Sequence, residues 1–208
     1  MSRISFAVSL LTLTAVAAAA SVSPADDEFA SVRDALQTCV ACHGERGASP
    51  PIPQYPILAG QHYYYLYLQL RDFKSGARKN ELMAAFVQPL ELDQMKLIAT
   101  YFSRQSWPTL SHAADPAKVA VARIAIDSGE CVSCHLGDFR GNSGVPRLAG
   151  QRPEYLAKTM LDFKNRVRTN SPDKAALLAT FSAKDLESLA DYLGSVTVYQ
   201  SSQSGEIR

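Results

Sequence analysis

The feature that most constrains this chain is a Cys-x-x-Cys-His segment that occurs twice, at residues 39–43 and 131–135. In such a segment the two thiols add to the vinyl groups of a haem, and the adjacent imidazole becomes the proximal ligand of the iron. The candidate residues are the thiols of Cys39, Cys42, Cys131 and Cys134 and the imidazoles of His43 and His135. The pattern predicts a fold built around two covalently bound haem c groups.

The second copy of the segment excludes most other interpretations of the first. One copy alone is compatible with half of a zinc site or with a redox-active dithiol. All four cysteines lie in the two copies, no thioredoxin-like strand-turn-helix pattern surrounds either copy, and the rest of the chain repeats in step. A disulfide within each segment would leave the two histidines without a role. We therefore interpret both segments as haem attachment sites.

The N-terminus has the pattern of a secretory signal peptide. Arg3 supplies a positive start, an apolar run covers residues 4–20, and small residues follow as far as Ala25. We predict a signal peptide over 1–25 and a soluble, exported, periplasmic mature protein, in agreement with cysteine chemistry outside the reducing cytosol. A retained membrane anchor is the alternative.

The charge balance argues against a nucleic-acid partner. The chain has 21 Lys and Arg residues against 20 Asp and Glu, and removal of the leader with Arg3 makes the two numbers equal. A nearly neutral polypeptide lacks the basic excess typical of nucleic-acid-binding proteins. A short basic cluster, Lys164, Arg166 and Arg168, is predicted to be a solvated helix end, with a docking patch as the lesser alternative.

The chain also repeats itself at an offset of about 90 residues. Residues 56–61 (PILAGQ) return as 146–151 (PRLAGQ), and residues 72–74 (DFK) return as 162–164. Between the repeats, residues 106–116 have a proline near each end, which is typical of a linker. The predicted organisation is a first domain over 26–105, a linker over 106–116, a second domain over 117–198 and a polar tail over 199–208.

Both halves have the periodicity of helices, because apolar residues recur every three or four positions. One predicted apolar face carries Leu66, Leu70 and Phe73, repeated as Leu156, Met160 and Phe163; another carries Met95, Ile98 and Phe102, repeated as Leu186, Leu189 and Leu193. Asp115 before Pro116, and Ser182 with Asp185, are typical helix starts. The predicted fold is all-α, with two small tandem domains whose haems supply much of the core.

The paired attachment segments, the paired P-x-L-A-G-Q segments and residues 72–80 (DFKSGARKN) together resemble the dihaem cytochrome c4 family. The resemblance covers nearly the whole mature chain. It implies two class I cytochrome c domains in a pseudo-twofold arrangement, with the haems near the interface. It also implies that the carbonyls of Pro56 and Pro146 accept hydrogen bonds from the proximal imidazoles. For the repeated Gln61, Gln151, Tyr65 and Tyr155, lining of a haem edge and capping of the following helix both stay open.

In that family the sixth iron ligand is a methionine shortly before the last helix. Met83 occupies this place in the first half, whereas residues 170–181 of the second half contain no methionine. Met83 lies seven residues before Leu90, and Lys174 lies seven residues before Phe181, the counterpart of Leu90. Met83 also lies three residues after Asn80, and Asp173 lies three residues after Asn170, the counterpart of Asn80. The two alignments therefore place Lys174 or Asp173 at the ligand position.

Three alternatives remain for the second iron: ligation by Lys174, an open coordination position, or a distant group such as His112. For His112, as for His62, an ordinary surface position is the favoured interpretation. Lysine ligates only as the neutral amine, and its ordinary pKa is near ~10.4, so iron must displace a proton. A thioether raises the haem potential and an amine lowers it, which predicts the higher potential at the Met83 haem.

The leading functional hypothesis is an electron shuttle rather than an enzyme. Its expected partners are a quinol-oxidising membrane complex or a dehydrogenase as donor and a terminal oxidase as acceptor, a role compatible with a position peripheral to the membrane. One alternative is the cytochrome subunit of a sulfur-compound dehydrogenase. Another is a dihaem enzyme with an open second iron, although no cysteine is spare to serve as the axial ligand that thiosulfate-oxidising relatives use.

Overall fold

The computed structural model describes residues 28–197, and the regular structure within that range is helical, without a β-strand. The predicted signal peptide and polar tail lie outside the described residues. The first half contains α1 (Arg33–His43), α2 (Tyr63–Ser75), α3 (Glu81–Val87) and α4 (Leu92–Ser103). The second half contains α5 (Pro116–Ser128), α6 (Cys131–His135), α7 (Pro153–Lys164), α8 (Pro172–Ala179) and α9 (Ala183–Ser195). The all-α prediction is confirmed.

The buried apolar side chains form one cluster in each half. In the first half α2 packs against α4, and in the second half α9 packs against α5 and α7. The predicted apolar faces are confirmed, since Leu66 and Phe73 of α2 are buried, as are Leu156 and Phe163 of α7. Met95, a possible ligand by residue type, is a fully buried core side chain of α4.

The helix starts follow the local sequence. Asp115 accepts a hydrogen bond from the backbone N–H of Ala117, and Pro116 is the first residue of α5. The last residue of the predicted linker therefore belongs to a helix. Ser182 and Asp185 form a reciprocal capping box at the start of α9, which satisfies backbone N–H groups that have no partner within the helix. No helix within residues 28–197 combines the length and the apolar character needed to cross a bilayer.

The two halves differ in the helix that carries the attachment segment. In the first half the segment 39–43 forms the end of α1. In the second half α5 ends at Ser128, and the segment forms the separate short helix α6. Glu130, between them, has a φ of 48°, a left-handed conformation that a regular helix excludes.

Two buried glutamines join the halves through reciprocal hydrogen bonds. The Gln61 side chain accepts from the backbone N–H of Arg147 at 2.9 Å and donates to its carbonyl at 3.1 Å. Gln151 does the same to Ile57, at 2.9 and 3.0 Å. Each glutamine also accepts from the backbone N–H of the next residue. Because Ile57 and Arg147 are counterparts in the repeat, the contact has approximate twofold symmetry.

We predict that Gln151→Ala destabilises the protein strongly. Gln151 is 2% exposed, and its loss leaves the backbone N–H and carbonyl of Ile57 without partners. Two unsatisfied backbone groups should lower the free energy of unfolding by about 2–4 kcal/mol. Urea denaturation of the haem-loaded protein, followed by circular dichroism, measures this change.

The matched control is Gln54→Ala, because Gln54 is exposed, and it should change the stability by less than about 0.5 kcal/mol. Equal stability of the two variants would contradict a structural role for Gln151.

Candidate functional site

The end of α1 and the chain that follows it hold the first proximal histidine in one orientation. His43 is buried, and its Nδ1 lies 2.9 Å from the carbonyl oxygen of Pro56. A proton on Nδ1 satisfies that carbonyl and leaves the lone pair of Nε2 available to a metal. Burial lowers the pKa of His43, the Pro56 contact opposes that shift, and the charge of Arg78 adds to it.

The second proximal histidine repeats this geometry from a different helix. His135 ends α6, and its Nδ1 lies 3.0 Å from the carbonyl oxygen of Pro146. Burial lowers the pKa of His135, against the effect of the Pro146 contact, and the charge of Lys174 lowers it further. The predicted contacts of both imidazoles with proline carbonyls are therefore confirmed.

The four cysteines of the attachment segments are unpaired. Burial raises the pKa of the Cys39 thiol to about 11, and it also raises that of Cys131. Each segment thus presents two free thiols beside an imidazole with a free Nε2. This donor set, two nucleophilic sulfurs and one nitrogen ligand, suits covalent attachment and axial ligation of a haem.

The helix starts define the register on the distal side. Met83 is the third residue of α3, after the cap residue Asn80, and Lys174 is the third residue of α8, after the cap residue Ser171. Both side chains are half-buried, whereas Asp173 is exposed. Lys174, rather than Asp173, is thus the positional counterpart of Met83.

The charge of Lys174 lowers the pKa of His135, which indicates that the two side chains lie in the same region of the second half. Burial is the main cause of a lowered pKa at Lys174, and repulsion from Arg168 adds to it. Both effects favour the neutral amine, which is the form of lysine that can ligate a metal.

Two equivalent lysines anchor the far ends of the distal helices. The Lys74 Nζ donates to the carbonyls of Gln88 at 2.9 Å and Leu90 at 2.5 Å, just beyond α3. The Lys164 Nζ donates to those of Ala179 and Phe181, at 3.1 and 2.6 Å, at the end of α8. A cation at this position satisfies carbonyls that a helix end leaves without partners. Lys164, predicted to be solvated, therefore has a structural contact.

The repeated tyrosines and arginines meet between the halves. Arg78 donates to the hydroxyl of Tyr155 at 3.3 Å, and the charge of the buried Arg168 interacts with both Tyr65 and Tyr155. Despite burial, the two guanidinium charges lower the pKa of Tyr155 to about 7, whereas burial dominates at Tyr65 and raises its pKa.

The positive charge at this interface comes from Arg168, which is buried, and Arg78, which is half-buried. Within residues 28–197 neither Arg78 nor Arg168 forms an ion pair with a carboxylate. Buried cations are stable when an anion lies beside them, and a haem carries two propionates. Together with the thiols and the oriented imidazoles, this charge fits two haem groups, since their propionates would supply the missing anions.

Several residues lie elsewhere than their sequence context suggested. Arg168 was predicted to be a solvated residue but is buried in the interface, and Gln61 and Gln151 bridge the halves as well as contacting the following helix. The one signal for the interface in the sequence was the repetition of the Gln, Tyr and Arg positions.

The two other histidines have partners within the protein. His112 contacts Asp191 of α9 at 3.1 Å, and His62 contacts the carbonyl of Arg140 at 2.8 Å.

The chain is similar to known proteins along most of its length. It is 35% identical over 179 residues to cytochrome c4 of Stutzerimonas stutzeri, a match that covers 76% of this chain and 84% of that protein. It is 35% identical over 166 residues to the thiosulfate dehydrogenase electron acceptor of Thiomonas intermedia, covering 75% and 73%. The crystal structure of reduced recombinant cytochrome c4 from Pseudomonas stutzeri matches with a TM-score of 0.71 and 32% identity, covering 85% of this chain and 100% of that one. No family model matches the chain.

We predict that Lys74→Met loosens α3 without unfolding the protein. The variant removes the donor to two carbonyls at the end of that helix, so amide hydrogen exchange in residues 81–87 should become about tenfold faster. Exchange of the haem-loaded protein, measured by mass spectrometry, gives this rate.

Lys79→Met is the control, since Lys79 is exposed in the loop before α3, and it should leave the exchange unchanged. Protection of 81–87 that is the same in both variants would show that Lys74 does not anchor the helix.

Proposed function

The chain belongs to the cytochrome c4 family, dihaem c-type cytochromes with covalently bound haem c, and on this basis we propose that it carries electrons in the periplasm from a respiratory or dehydrogenase donor to a terminal oxidase. The observation that carries the proposal is the duplicated proximal geometry. Two imidazoles have Nδ1 held by a proline carbonyl, at 2.9 and 3.0 Å, in two halves joined by buried hydrogen bonds.

The residues that would hold the two haems are Cys39, Cys42, His43 and Met83 in the first half and Cys131, Cys134, His135 and Lys174 in the second. Bound haem supplies a one-electron iron couple. The carbonyls of Pro56 and Pro146 fix the ring proton on Nδ1, which makes each Nε2 a stronger and better-oriented donor. The reciprocal glutamine contacts fix the relative position of the two halves.

For the second iron we propose Lys174 as the sixth ligand. Its position as the third residue of α8 matches that of Met83 in α3, and it is half-buried, with a charge that acts on His135. An open iron is the alternative, and binding of carbon monoxide to the second haem of the reduced protein would support it.

Different sixth ligands would make one of the two haems preferentially reduced. A thioether favours ferrous iron and an amine favours ferric iron. An electron that enters at the second haem would therefore pass to the first, which would deliver it to the acceptor.

A second candidate function is the cytochrome subunit of a sulfur-compound dehydrogenase. It is favoured by the similarity to a protein named thiosulfate dehydrogenase electron acceptor. A subunit should keep a stoichiometric enzyme partner through chromatography, whereas a shuttle should elute alone. Purification of the native protein from its own cells separates the two functions.

We predict that the ferric protein has one methionine-to-iron absorption band in the far red for every two haems. Met83→Leu should abolish this band because it removes the thioether. Lys174→Met should double it, since the new thioether lies at the position equivalent to Met83. The intensity per haem, determined from the spectrum and the haem content, measures both changes.

Lys184→Met is the matched control, because Lys184 is exposed in the first turn of α9, and it should leave the band unchanged. A wild-type band equal to two methionine-ligated haems would contradict lysine ligation.

We predict that the two haems titrate separately, with the first haem about 100 mV or more above the second, well within the range that axial ligands span. Lys174→Met should bring the lower potential close to the higher one. Spectroelectrochemical titration of the wild-type protein and of Lys174→Met measures the two haem potentials in each. Equal potentials in the wild-type protein would remove the preferred direction of electron flow.

A further inference from the structure

We propose that Asp72 of the first half, through a hydrogen bond to Asn170, positions the distal helix of the second haem site. On this proposal, which rests on Lys174 as the sixth ligand, the ligand geometry of the second iron depends on a residue of the other half. Asp72 and Asn170 are positioning residues, since they act through α8.

The distal helix of the first half is held at its start by its own residue. The Asn80 side chain accepts a hydrogen bond from the backbone N–H of Met83 at 2.9 Å. This is the usual capping contact of an asparagine at a helix start. The position of Met83 is therefore defined within the first half.

The distal helix of the second half lacks such a contact. Its cap residue, Ser171, makes no side-chain capping hydrogen bond, and Pro172 occupies the first helical position. Asn170, the repeat counterpart of Asn80, points to the other half instead. Its Nδ2 donates to the Asp72 carboxylate at 2.5 Å, and Thr169 donates to the carbonyl of Ala77 at 3.3 Å.

The Asn170 amide is held from both sides. Its Oδ1 accepts from the Nε of Arg168 at 2.9 Å, while its Nδ2 faces the Asp72 carboxylate. Arg168 is buried and also donates to Gln69 of α2 at 2.6 Å. Hydrogen bonds with an ionised partner are stronger and shorter than neutral ones, so this amide is a firm attachment point.

The attachment lies close to the proposed ligand and is joined to it by a stiff segment. Three residues separate Asn170 from Lys174, and one of them is Pro172, whose ring fixes its φ. The opposite end of α8 is held within its own half by Lys164. The end of α8 that carries Lys174 is thus the end that depends on the first half.

The two Asp–Asn pairs of the repeat differ, because Asp72 and Asn170 contact each other across the interface whereas Asp162 and Asn80 have partners in their own halves. Asp162, the counterpart of Asp72, contacts Lys158 of its own helix, and Asn80 is used within the first half. Loss of the Asp72–Asn170 contact should therefore change the second haem site and leave the first unchanged.

The test compares Asp72→Ala and Asn170→Ala with the mirror variants Asp162→Ala and Asn80→Ala, all in the haem-loaded, full-length protein. The two readouts are amide hydrogen exchange in residues 172–179 and 81–87, and the electron paramagnetic resonance signal of each ferric haem. Asp72→Ala and Asn170→Ala should each speed exchange in 172–179 about tenfold and shift only the second-haem signal. The double variant should add little, because both changes remove one contact.

The mirror variants should behave differently. Asp162→Ala should leave both haem signals unchanged, and Asn80→Ala should speed exchange in 81–87 alone. Asp72→Asn keeps an acceptor oxygen for the Asn170 amide and should therefore retain most of the wild-type behaviour. This variant still tests the contact if Asp72→Ala does not fold.

Unchanged exchange in 172–179 in Asp72→Ala would overturn the inference. So would faster exchange with a second-haem signal that stays the same, provided that Lys174→Ala does alter that signal. If Lys174→Ala leaves the signal unaltered, lysine ligation is wrong, and the exchange data alone decide whether Asp72 holds α8.

Discussion

The reciprocal hydrogen bonds of Gln61 and Gln151 are the contact on which the two-domain arrangement depends. Each amide satisfies a backbone N–H and a carbonyl of the opposite half, and both side chains are buried. Buried polar groups with complete partners specify one arrangement, because any shift leaves several of them unsatisfied. Tyr65, Tyr155 and the two arginines lie in the same interface between the halves.

The symmetry of the repeat is kept in the contacts of the two proposed proximal histidines and broken at the starts of the distal helices. Both proximal imidazoles contact a proline carbonyl. In both halves a lysine of the preceding helix donates to carbonyls at the end of the distal helix. The halves differ at the proposed distal ligand positions, Met83 and Lys174, and at the start of each distal helix. They also differ in the helix that carries the attachment segment, which is continuous in α1 and separate from α5 in the second half. With the proposed ligands, these differences would make the two haems unequal while the fold of the two halves stays the same.

Much of the fold could be predicted because it depends on local patterns. The apolar faces of α2 and α7, the capping box at Ser182 and the proline start of α5 follow from residues within four positions of each other. The role of Arg168 could not be predicted in this way. Its charge suggested solvent exposure, but its hydrogen-bond partner Gln69 lies 99 residues away in sequence, and no local pattern reports a contact between halves.

The sequence by itself determined the protein class, since two Cys-x-x-Cys-His segments specify the covalent chemistry and the proximal ligand whatever surrounds them. It also located the break in the repeat at residues 170–181. Only the tertiary structure decided which residue of that stretch is equivalent to Met83, because the start of α8 sets the register. It alone also showed that Asn170 bonds to Asp72 rather than capping its own helix. The second outcome depends on a contact between residues 98 positions apart in sequence, which exists only once the two halves are packed together.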